Sequence, residues 1–423
     1  MILSRKKTIL GSFAVLIVAA GATSAPGKPG SGIQPGGDFV VRPFIEAAYS
    51  YDSNPLLKPI GQEQSDSFWD LSPGVNVTRA RESIRMEGLF WGRFRRFDEF
   101  TSEDRDDWSE ELRLALGRRE EVRLQLHERF GRVSDYDLSV RTMDTTAEGT
   151  GDRYLERTEA TPLSVMERTE RVDRYLLDCG VGLGGPLTEK MSFDAICDYG
   201  LVDYFPEELY DSNEQKISLK AARGVTDKSS AVLSGEIIQM QNDSLDNPAY
   251  TYSGKLGWRW QGTFKSRFEG TFGYYGFETS EPKSTGALHR DGPAYDLAWY
   301  WQVRPKLSFS LGGRSEMQLA PDTARNAKLV NMVTGSAQYS ATKRLSITAL
   351  VGYRHEDFTS GEELAGEALV KRLVEQWHLR LHGDYQVFKW LKGYVELWTE
   401  DTTDNVRGDY KETRITLGAK AAY

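Results

Sequence analysis

The sequence is poor in the residues that build most catalytic and metal centres. Its 423 residues include two cysteines and five histidines, too few for a disulfide-stapled scaffold or a cysteine-rich zinc site. No G-x-S-x-G, H-E-x-x-H or C-x-x-C occurs, so common hydrolase, metalloprotease and dithiol patterns are missing. His378 and His382 share a face with Arg380, but i and i+4 on a strand lie about 13 Å apart, too far to share a metal. The sequence therefore reads as a non-enzyme with no cofactor and no metal. Long apolar runs are lacking as well. The one near the start, Thr8 to Ala20, falls short of the roughly 20 residues a membrane helix needs, and mean hydropathy is -0.51. Cations do not exceed acids, with 53 Lys and Arg against 62 Asp and Glu, so the basic footprint of a nucleic-acid binder is absent.

What is present is alternation. In Tyr252 to Trp260 the even positions carry Tyr252, Leu256, Trp258 and Trp260, with Lys255 and Arg259 between them. Leu345, Ile347, Ala349, Val351 and Tyr353 interleave in the same way with Ser346, Thr348 and Arg354. Successive strand side chains point to opposite faces, so each segment has one apolar and one polar face. A soluble sandwich alternates too. Three features favour a membrane barrel: segments of roughly 12–16 residues, longer than soluble strands; short turns alternating with longer polar connections; and too many charges on the polar face for a dry core. The 20 Tyr, 18 Phe and 10 Trp suit interfacial girdles. The fold class expected is all-β, a transmembrane antiparallel β-barrel of about 18 strands, with 16 as the alternative. The alternative arises from the first strands and from Glu362 to Glu375, which has some helical character and also reads as a loop helix.

The chain divides into three parts. Arg5, Lys6 and Lys7, the apolar stretch after them and Ala20-Gly21-Ala22 read as a signal peptide over residues 1–22. Its removal shifts the formal charge from -9 to -12. Residues 23–37, rich in Gly and Pro, read as a periplasmic tether. Residues 38–423 are the barrel. The final segment alternates Ile415, Leu417, Ala419, Ala421 and Tyr423 with Arg414, Thr416 and Lys420, like the terminal strand that barrel-assembly machinery recognises. The expected location is the outer membrane of a Gram-negative bacterium, with outer-membrane lipid and that machinery as partners.

Val41-Arg-Pro43, Tyr49-Ser-Tyr51-Asp52-Ser53-Asn54 and Leu71-Ser-Pro73-Gly74 resemble the opening strands of the beta-barrel porin 2 family. The detailed match is confined to about residues 40–75. The resemblance implies an outer-membrane barrel and, in several family settings, export of capsular or extracellular polysaccharide with a periplasmic export partner. It supplies no ligand residues. Asp52 and Asn54, at a strand-to-loop junction, are expected to bond neighbouring backbone and start the turn.

With the apolar set facing lipid, the lumen receives Arg93, Arg95, Arg123, Arg129, Arg259, Arg267, Arg314, Arg354 and Arg380, with Tyr300 and Trp398 among them. The lumen set as read is richer in cations than in acids, which places the chain's acidity in its loops. Such a wall would suit an anionic or sugar-like polymer, since guanidinium binds carboxylate and aromatic faces stack on sugar rings. The competing reading is a wall braced by Arg–carboxylate pairs. General passage of small solutes, or a non-conducting adhesion barrel, are the other functions open to this fold. The longest connection, Val133 to Thr169, carries Asp135, Asp137, Arg141, Asp144 and Arg153, either a charged constriction or a disordered surface loop. Cys179 and Cys197 each lie nine residues from Thr188. A turn centred there sets them opposite one another, as a disulfide or as two lipid-facing thiols.

Overall fold

The computed structural model describes residues 38–118, 121–133, 173–205, 211–242, 248–263, 265–279, 288–319, 327–362, 370–406 and 408–422. The signal peptide and tether, the loop residues Asp135, Asp137, Arg141, Asp144 and Arg153, and Tyr423 lie outside these residues.

Eighteen strands follow one another: β1 (Phe39–Asp52), β2 (Asp66–Arg81), β3 (Ile84–Phe97), β4 (Arg105–Leu116), β5 (Arg123–Val133), β6 (Arg174–Thr188), β7 (Met191–Tyr204), β8 (Ser212–Thr226) and β9 (Ser229–Asn242), then β10 (Ala249–Thr263), β11 (Ser266–Thr279), β12 (Leu288–Arg304), β13 (Leu307–Leu319), β14 (Ala327–Ser340), β15 (Leu345–Glu362), β16 (Val370–Phe388), β17 (Leu391–Asp404) and β18 (Tyr410–Ala422). Each pairs antiparallel with the next, and β18 pairs with β1, so the sheet closes on itself. The count is 18 rather than 16. Of the stretch with helical character, Glu362 lies in β15 and residues 370–375 in β16, which pair as far as Glu362↔Val370, while residues 363–369 lie outside the described residues. Leu373 and Trp377 of β16 are 37% and 55% exposed. On a strand they share the outward face.

The outward face could not rest in water. Leu256, Phe272 and Leu417 are 65%, 61% and 66% exposed, within a continuous apolar surface that only lipid would cover. Aromatic residues rim it at both heights. Trp258, Trp260, Trp299 and Trp301 stand near the short-turn end, and Tyr49, Trp69, Tyr250 and Tyr252 near the other. The short turns share a local device. The hydroxyls of Thr188, Thr226, Thr263 and Thr342 each accept the N–H two residues on, from Lys190, Lys228, Lys265 and Arg344. This side-chain mimic of a backbone turn reverses the chain within a few residues. At the opposite end Asp52 accepts the Asn54 N–H at 3.0 Å, and the Asn54 amide bonds Lys58 O at 2.8 Å, closing the turn after β1.

Register shifts occur in several hairpins, and two departures concern β6–β7 and β12–β13. Cys179 pairs with Tyr199, and Cys197 with Val181. The thiols are therefore diagonal neighbours, and both are free. The β6–β7 turn is Glu189–Lys190 rather than centred on Thr188, with a register shift between Pro186 and Thr188. Diagonal positions lie about 7–8 Å apart, beyond ordinary disulfide reach. The second departure is a fork between β12 and β13. Their ladder runs only from Arg304↔Leu307 to Asp296↔Arg314. Beyond it residues 288–295 pair with β11 alone, and residues 315–319 with β14 alone.

Candidate functional site: the lumen wall

The registers assign every strand residue to one of two faces. All eleven residues proposed for the lumen, Arg93, Arg95, Arg123, Arg129, Arg259, Arg267, Tyr300, Arg314, Arg354, Arg380 and Trp398, fall on the inward face. What the strand alternation did not reveal is their partners. Many inward cations pair with inward carboxylates.

Three sectors carry the pairs. Around β1–β5 and β18, Arg95 makes a bidentate contact with Asp70, both bonds 2.9 Å, and its guanidinium lies 4.1 Å over Phe68. Arg93 binds Asp107, and Arg113 binds Glu111. Arg129 lies within electrostatic range of Glu111 and Asp178. Arg414 bonds Glu412 at 2.8 Å and Asp52 at 3.3 Å, with Phe68 and Trp398 stacked against it at 5.7 and 5.5 Å. Across β8–β13, Lys216 meets Glu236 at 2.8 Å, and Arg314 meets Glu316 at 3.4 Å. Arg267 lies 5.1 Å over the Tyr300 ring. Over β14–β17, Glu356 takes both Lys328 and Arg354. Arg372 holds Asp404 at 2.5 Å, and Arg372 and Lys328 flank Phe358. Arg380 binds Glu396 at 2.6 Å, and His382 sits between Glu396 (2.9 Å) and Asp384 (3.2 Å).

Several of these groups are buried. Asp52 and Lys328 are wholly covered, and Arg372 and Glu412 are 1% exposed. A charge removed from water needs a matched partner and filled hydrogen-bond sites, or burial costs several kcal/mol, about 3–5 when one partner is removed. The pairing thus follows from the polar alternation of the strands. Individual partners did not, because they depend on the register between strands, which alternation along one strand does not carry.

Glu269 joins strands that are not neighbours in the wall. Glu269 on β11 binds Arg259 of adjacent β10 at 2.7 Å and also Lys220 of β8. Lys220 reaches it past β9 and β10, so the pair spans a chord of the wall.

No protein-family model matches the sequence, and no curated protein matches it. Among solved structures it is similar in outline to the outer membrane protein OpdK of Pseudomonas aeruginosa, with a TM-score of 0.48, 8% identity and coverage of 90% of this chain and 99% of that one. OpdQ of Pseudomonas aeruginosa gives 0.45 at 10% identity, covering 91% and 98%. OccAB4 of Acinetobacter baumannii gives 0.46 at 11%, covering 90% and 98%. Likeness at this level says nothing of solute or mechanism.

Proposed function

We propose that this chain is an outer-membrane channel for small hydrophilic solutes, exported by its first 22 residues and inserted by barrel-assembly machinery into outer-membrane lipid. The observation that carries the reading is a closed barrel of 18 strands with an apolar outward face and an ion-paired inward face. Barrels of about 16–18 strands enclose an aqueous passage when their interior is polar. Matched charges keep such a passage hydrated without binding one ion tightly. Polysaccharide export drew on a cation-rich wall and on family resemblance. Among the described residues the cations are largely matched by carboxylates, which leaves no continuous basic track there for a polyanion, and no family model matches the sequence.

Conductance of the purified protein in planar bilayers tests this reading. Discrete, salt-dependent channels are expected, and Glu269→Gln should move the reversal potential toward the chloride potential by releasing Lys220 and Arg259 from their carboxylate. Absence of current at every voltage would end the channel reading. Block by an anionic polysaccharide at concentrations that leave small sugars without effect would return export to first place.

A further inference from the structure

A proline lies in the path that the β12–β13 ladder would take beyond the fork. Gln302 donates its N–H to Lys265 O at 2.7 Å, which sets the phase of β12: even-numbered residues bond β11, and odd-numbered ones turn toward β13. Continued past Asp296↔Arg314, the register would set Pro293 opposite Met317 as a bonded pair. Proline has no N–H to give. The ladder stops a few residues short of it.

Above the fork the wall overlaps. Met240, Ala249, Tyr275, Phe277 and Ala294 belong to the inward faces of β9–β12. They form one buried apolar cluster with Met317, and Leu329 packs on it. By register Met317 and Leu329 share the outward parity of exposed Leu311 and Val333. The outer face of β13–β14 therefore lies beneath the inner face of β9–β12. Arg290 of β12 crosses the overlap to Asp357, also of outward parity on β15, with its guanidinium 2.7 Å from the carboxylate. Gly292 leaves room for the Tyr275 ring, because a Cβ there would stand 2.7 Å from its hydroxyl.

We infer that this seam is a latch: the upper halves of β13–β15 are held inside the barrel by an apolar layer and the Arg290–Asp357 pair, and slide outward to widen the lumen when that pair parts. Beyond Asp296↔Arg314 the β12–β13 ladder is absent, so this stretch of the wall is held across the seam by side chains. Segments with few ladder bonds open at the lowest cost, and the methionines in the layer can repack as it shifts. The inference rests on the channel reading only for what widening would do.

The test places one thiol in the layer. In a Cys179→Ser/Cys197→Ser background, Ala294→Cys is reacted with a membrane-impermeant maleimide in liposomes, with heat-modifiable gel mobility confirming the fold. Slow labelling is expected, about tenfold faster after Asp357→Asn, the change that corresponds to about 1.4 kcal/mol. The exchanged pair Arg290→Asp/Asp357→Arg should restore the slow rate. Met317→Cys repeats the test should Ala294→Cys fail to fold. Labelling that is rapid from the outset, or indifferent to Asp357→Asn, overturns the latch. Larger single-channel currents from Asp357→Asn would tie the latch to conduction. Labelling that responds in a protein that never conducts would keep the latch and remove the channel reading.

Discussion

The barrel has two unlike seams. β1 and β18 lie at opposite ends of the chain, yet their ladder runs unbroken from Phe44↔Ala422 to Asp52↔Arg414. β12 and β13 are joined by a tight turn, yet they part after Asp296↔Arg314. Closeness in sequence brings strands together but does not decide how far they zip. That depends on whether each backbone donor finds its acceptor, and on what the inward side chains gain by staying in register. At the closing seam Ser50 bonds Thr416 at 2.8 Å, Tyr394 bonds Glu46 at 2.7 Å, and Arg414 ties β18 to Asp52. At the fork a proline takes away a donor and an apolar overlap replaces the ladder.

The largest expected effect comes from moving the defect. Ser53 N–H bonds Thr413 O at 2.9 Å, so odd-numbered β18 residues, Leu417 among them, donate to β1. Leu417→Pro should put on the closing seam what Pro293 puts on the fork, costing about 3 kcal/mol or more. Loss of the heat-modifiable folded band would show it, and a normal band would mean the closing ladder is dispensable. Next is Arg414→Ala, which strips the fully buried Asp52 and the nearly buried Glu412 of their shared cation. A loss of about 3–5 kcal/mol is expected, read as a lower urea midpoint, whereas a change under about 1 kcal/mol would class the pair with exposed ones. Pro293→Val works in the opposite direction. It returns a donor facing β13 and should stabilise by roughly 0.5–1.5 kcal/mol, the worth of a net hydrogen bond. Slower hydrogen exchange in residues 315–319 would report it, and unchanged exchange would shift the cause of the fork from the missing donor to the apolar overlap. The smallest effect concerns the cysteines. A reducing agent should leave gel mobility and melting unchanged, since Cys179 and Cys197 are diagonal rather than opposite, while a mobility shift on reduction would mean the β6–β7 register is wrong.

Much of the fold was legible because its signal is local. A period of two gives each strand its faces, short turns and longer polar connections alternate along the chain, and together they led to 18 strands and to an inward placement for Arg93, Arg259, Arg380 and their fellows. The partners of those cations were not legible. Glu269 meets Lys220 across two intervening strands, and Asp52 meets Arg414 across almost the whole chain.

The sequence alone determined which face each side chain shows, since alternation is a property of consecutive residues in an extended backbone. Only the tertiary structure decided which carboxylate neutralises which cation, how the two cysteines are staggered, and where the wall overlaps itself. Those outcomes depend on register and curvature, which are settled between strands: a two-residue shift turned opposed thiols into diagonal ones, and β12 follows β13 only as far as Asp296↔Arg314.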